Sequence, residues 1–162
     1  GDRAGGGPIG IRAAISVAES FEKRGKFDDA YLKWSEINSL WPSGRIGNKS
    51  LLAMGRCKHA GYTGPNYDDS YLVSAKSYYI NYRLKYPEDA KKYKISEKID
   101  LIDEQLAYKQ FCVGRYYQKS GSSESAEVYY KKVIEKWPGT TAAKMARAAL
   151  EEQEPGIKKE DK

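Results

Sequence analysis

The chain of 162 residues suffices for one core or a short array of stacked helix pairs, and it excludes two full domains. With 31% charged and 40% hydrophobic residues it is not compositionally disordered through its main body, and no apolar run reaches the length of a membrane span. The net charge of +6 is interspersed, as where Lys91, Lys92 and Lys94 sit between Glu88-Asp89 and Glu97, which describes solvated helix faces and argues against a nucleic-acid partner.

The opening, residues 1–10, holds five Gly and one Pro and reads as a flexible linker ahead of a single helical domain over 11–153. A first repeat follows over about 11–43. Its first helix carries Ala18 and Phe21, Gly25 supplies the turn, and Ala30, Trp34 and Ile37 lie on one stripe of the second helix, which Trp41-Pro42 ends. Proline lacks an N–H and biases the residue before it away from helical angles.

A second repeat spans about 47–88. Its first helix, roughly Asn48 to Ala60, offers Leu51, Met54 and Cys57 as core. Gly61 stands 14 positions before Ala75, where Gly25 and Gly121 stand five before Ala30 and Ala126. The difference implies nine inserted residues around Thr63 to Asp69, with Gly64-Pro65-Asn66 marking a loop. Ala75, Tyr79 and Tyr82 then repeat the stripe and Tyr86-Pro87 ends it.

The third repeat covers about 90–139. Ile95, Ile99, Ile102, Leu106, Val113 and Tyr117 predict one helix over 90–119, roughly 45 Å long at 1.5 Å per residue. Gly114 is its small residue, Gly121 its turn, and Ala126, Tyr130 and Val133 precede Trp137-Pro138. A terminal helix over 140–152, capped by Thr140 or Thr141, covers the stack, and residues 154–162 read as a disordered tail.

The three aromatic-Pro stops each lie 11 and 12 positions after an alanine, with an aromatic four after it. Small residue, aromatic, Gly, Ala, aromatic and Pro fall at tetratricopeptide spacing in the first and third copies. The expected fold is therefore all-α, a tetratricopeptide-like α-solenoid of three antiparallel helix pairs plus a C-terminal capping helix.

Within 71–150, the run Ile99-Asp100-Leu101-Ile102-Asp103-Glu104-Gln105-Leu106-Ala107 leads into Phe111-Cys112-Val113-Gly114-Arg115-Tyr116-Tyr117. Then come Ser125-Ala126-Glu127-Val128-Tyr129-Tyr130 and Trp137-Pro138-Gly139-Thr140. This stretch resembles the BamD (YfiO-like) family of outer-membrane β-barrel assembly lipoproteins, in which a similar long helix ends in a Tyr-Tyr pair, followed by a Gly turn and a Tyr-Pro-x-Thr stop. The resemblance implies a periplasmic protein tethered to the outer membrane by an N-terminal lipid whose cysteine is absent from this chain. The implied partners are barrel-assembly subunits and unfolded outer-membrane proteins. That family usually carries about five repeats, where this chain has three and a terminal helix.

In a stacked helix array the first helix of each pair presents side chains to a peptide. These are Tyr108, Phe111, Arg115, Gln118 and Lys119 in the third repeat, and Arg12, Ile15, Glu19, Glu22 and Lys23 in the first. Phe111 beside Arg115 resembles an interface anchor, its alternative being packing on the neighbouring helix. No nucleophile, base and orienting partner occur together, so an enzyme is not expected. Cys57 and Cys112 lie in no CxxC or His cluster, and no metal or cofactor is expected. Alternative readings are another tetratricopeptide adaptor, for cell-wall synthesis or in the cytoplasm, and the accessory domain of an enzyme.

Overall fold

The computed structural model describes residues 8–160, with side chains described for 10–153. Among them are eight helices and no strand: α1 Pro8–Lys23, α2 Phe27–Leu40, α3 Gly44–Ala60, α4 Ser70–Lys85, α5 Pro87–Lys92, α6 Ile95–Lys119, α7 Ser123–Lys136 and α8 Thr141–Glu160. The fold is all-α. The helices form two compact units, one of residues up to Thr63 with Ser70–Ile99, the other of Gly64–Asp69 with Asp100 onward.

In the first unit α1 packs on α2, α2 on α3, α3 on α4, and α4 on α5. The stripe Ala30, Trp34 and Ile37 is fully buried and meets Ala18 from α1 and Ala53, Met54 and Cys57 from α3. Phe21 and Trp41 are partly buried against the same cluster. Gly25 adopts φ +74°, a conformation open to glycine without steric penalty, and so closes the three-residue turn between α1 and α2. The prolines act as stops: Trp41 and Tyr86 donate the last backbone bonds, to Ile37 and Tyr82, and Pro42 and Pro87 stay exposed.

In the second unit α7 packs on α8, and Gly114 of α6 admits the Tyr130 ring of α7 so closely that a Cβ there would lie 2.7 Å from it. Ala126, Tyr130 and Val133 are fully buried with Ala107, Phe111, Ala142, Ala143 and Ala146. Gly121 repeats the positive-φ turn at +85°. Thr140 caps α8 by accepting the Ala143 N–H, and the Glu104 carboxylate accepts the Thr141 N–H. The inserted loop is fastened by Lys109, whose ammonium donates to the carbonyls of Pro65 (3.0 Å) and Tyr67.

Four sequence expectations are corrected. The helix read over 90–119 is two: α5 ends at Lys92, Lys94 takes φ 55°, and α6 starts at Ile95. Ala90 and Ile95 are both buried, yet five residues on a continuous helix turn by about 140°, so the break is what brings both inward. Gly61 is not the counterpart of Gly25, since its φ is −72°. The small residue of this pair is Gly55, which sits against the Tyr79 ring and the Tyr78 Cβ as Gly114 sits against Tyr130 and Tyr129. That match makes the insertion eight residues rather than nine, the Gly55–Ala75 interval being 20 and the Gly114–Ala126 interval 12. At the N-terminus, residues 8–10 belong to α1 rather than a linker, Pro8 standing at the first helical position, where no backbone donor is lost; residues 1–7 lie outside the described ones. Finally, α8 runs on to Glu160 where a tail was expected from 154, although Pro155 and Gly156, the weakest helix formers, stand within the added stretch.

Candidate functional site

An open groove of about 1300 Å³ lies in the first unit. On α3 the positions Arg45, Lys49, Leu52 and Arg56 recur at intervals of four, three and four, which places them on one stripe, and all line the groove. From α1 come Ser16, Glu19, Ser20, Glu22 and Lys23. Tyr79, Tyr86, Asp89, Tyr93 and Lys98 also line it. The break at Lys94 separates Tyr93 from the helix that carries Lys98, so both reach the same space.

The floor is a fixed ionic cluster. Arg56 grips Glu22 with two bonds, Nε to Oε2 at 2.8 Å and Nη2 to Oε1 at 2.7 Å, while the Trp34 indole N–H donates to Oε1 at 2.6 Å. The Glu22 side chain is only 17% exposed. Burial works to raise its pKa, but the Arg56 fork and the Trp34 N–H outweigh burial, and Glu22 is held below the usual carboxylate range. Beside it, burial pushes the Cys57 thiol up to about 12, with the Glu22 charge acting in the same direction. Burial likewise raises the Tyr79 hydroxyl to about 12. These groups hold shape and are poorly suited to proton transfer near neutrality.

The walls are less neutralised. Lys49 pairs with Glu19 at 3.6 Å. Asn48 donates to Asp89 at 2.7 Å and accepts from the Tyr82 hydroxyl at 2.8 Å, tying α3, α4 and α5 together. Lys23, Arg45 and Lys98 make no ion pair among the described residues. The Tyr86 hydroxyl is enclosed yet has no hydrogen-bond partner.

The residues singled out from sequence divide. Glu19, Glu22 and Lys23 line this groove. Arg12 is exposed, and Ile15 packs against the Trp34 cluster. In the second unit Phe111 is 5% exposed, with its ring 5.4 Å from Tyr130 and 6.3 Å from Tyr108. It is therefore core, and the anchor reading is corrected: α6 turns Phe111 and Gly114 inward while Val113 is only half-buried. Arg115 lies over the Phe111 ring at 5.6 Å, and Gln118 accepts the Tyr130 hydroxyl at 2.5 Å, so both support packing. Tyr108 and Lys119 are exposed. Cys57 and Cys112 are free thiols, and no cluster of three or more His, Cys, Asp or Glu suited to a metal occurs among the described residues. No helix of the described residues is long and apolar enough to cross a membrane.

No protein-family model matches this sequence, and no curated protein is significantly similar to it.

Sequence reasoning missed Arg45, Leu52, Arg56, Tyr86, Asp89, Tyr93 and Lys98. The Arg45-Lys49-Leu52-Arg56 stripe was a usable signal, running beside the Leu51, Met54 and Cys57 stripe on the same helix. Asp89, Tyr93 and Lys98 carried none, because their approach depends on the helix break.

Proposed function

We propose that this protein is a non-catalytic, tetratricopeptide-like scaffold whose first unit holds a segment of another polypeptide in the groove beside α3. The observation that carries this reading is the groove itself. At about 1300 Å³ it exceeds the roughly 300–1,000 Å³ of ordinary small-molecule pockets, and side chains of α1 and α3 supply much of its lining. Repetition supports the repeat-array part of the reading. Trp34 bonds Glu22 and Tyr130 bonds Gln118, each across 12 residues of sequence, as two copies of one helix-pair unit would.

The likeness of 71–150 to the β-barrel assembly lipoproteins supports a role in the bacterial cell envelope, with barrel-assembly subunits or unfolded outer-membrane proteins as partners. The test is a photo-cross-linking residue placed at Leu52 of the full chain in cells, with Arg12 as an off-groove control. Adducts to a barrel-assembly component at Leu52 alone support both parts of the proposal. Polypeptide adducts lacking every such component sink the envelope role, and no polypeptide adduct at Leu52 sinks the scaffold.

A further inference from the structure

We infer that the groove selects an acidic stretch of polypeptide, an inference that rests on the scaffold reading and names its ligand class. Charge left unpaired in the lining sets the ligand class. Arg56 is neutralised by Glu22 in a bidentate pair and Lys49 by Glu19, while Asp89 is engaged by the Asn48 amide. What remains facing the space is Lys23, Arg45 and Lys98, three cations contributed by α1, α3 and α6, against the single carboxylate of Asp89, whose bond from a neutral amide cancels no charge. An occupant bearing carboxylates at intervals would meet each of them.

Leu52 and the rings of Tyr79 and Tyr93 give the rest of the lining an apolar character that suits side chains between the acids. A nucleic-acid strand fits less well, because the lining is only slightly cationic, with Lys23, Arg45, Lys49, Arg56 and Lys98 against Glu19, Glu22 and Asp89, whereas a strand with a phosphate at each nucleotide calls for a continuous basic track.

The experiment uses the full chain and fluorescence anisotropy with four probes: a labelled peptide alternating Glu with Leu and Tyr, its Glu→Gln and Glu→Lys counterparts, and oligo(dT). The expected result is binding of the Glu peptide about tenfold or more tighter than the Gln peptide, weakening as salt is raised. In Lys23→Glu/Arg45→Glu, at two exposed positions, the preference for Glu falls to near unity with unchanged circular dichroism. Equal binding of the Glu and Gln peptides, tighter binding of oligo(dT), or a preference that survives the double reversal overturns the inference. Adducts at Leu52 in cells combined with equal peptide affinities leave the scaffold standing and remove only its acidic ligand.

Discussion

The Trp34 indole N–H reaches 2.6 Å from Glu22 Oε1 across the first pair of helices, and the same carboxylate is gripped twice by Arg56 from α3. One acid thus joins three helices at the groove floor. Glu22→Gln leaves Arg56 and the indole facing a neutral amide and is expected to cost about 1–2 kcal/mol, since a charge-assisted bond is replaced within a largely buried site. Urea denaturation of the two proteins checks it.

The same carboxylate sets a pH dependence. Its folded pKa is lowered, so its contribution is present above the unfolded value, near 4.5, and is lost as pH falls through the folded value beneath it. Wild type should lose stability on acidification through this window more steeply than Glu22→Gln. Parallel acid titrations of the urea midpoint decide it, and identical slopes would remove Glu22 as the cause.

Gly114→Ala should destabilise by about 1–3 kcal/mol, because the added methyl meets the Tyr130 ring at 2.7 Å and Tyr130 is fully buried with nowhere to retreat. Gly139→Ala, with nothing within 4 Å of the new Cβ, is the matched control and should be close to neutral. Thermal melts of both variants give the comparison. The small-residue position was legible in the first and third copies from spacing alone. In the second it was hidden, because the eight-residue insertion removed the fixed distance between Gly55 and Tyr79.

Phe111→Ala is expected to lose about 3–5 kcal/mol, as a buried aromatic at the centre of the Tyr130 cluster leaves a cavity. Arg115→Ala, which removes a guanidinium lying over that ring, should cost under about 1 kcal/mol. Periodicity identified the packed stripes of α2, α4 and α7 because each is bounded by a Gly turn or a Pro stop. On the long α6 it could not separate Phe111 from Val113, two positions apart, since neither end of the helix was fixed by a proline and its true start at Ile95 was unseen.

Thiol chemistry should distinguish the two cysteines. Cys57 is 1% exposed and its pKa is pushed to about 12, so alkylation at neutral pH should proceed only as fast as the first unit opens. Cys112, which is half-buried, should react first in native protein. Peptide mass spectrometry after a timed exposure to iodoacetamide reads each site, and equal labelling would contradict the packing at Cys57.

Lys94 offers a gain rather than a loss. At φ 55° its backbone is left-handed, which costs a residue with a side chain about 1–2 kcal/mol, and glycine is free of that cost but loses more entropy on folding. The net expectation for Lys94→Gly is stabilisation of roughly 0.5–1 kcal/mol, or a few degrees in melting temperature for a chain of this size. Lys94→Ala keeps the Cβ and should gain nothing. The two together test whether the break between α5 and α6 is imposed by the core: Ala90 and Ile95 are both buried, and straightening the helix would turn one of them outward. If Lys94→Gly melts no higher than Lys94→Ala, the left-handed residue carries no strain that glycine relieves.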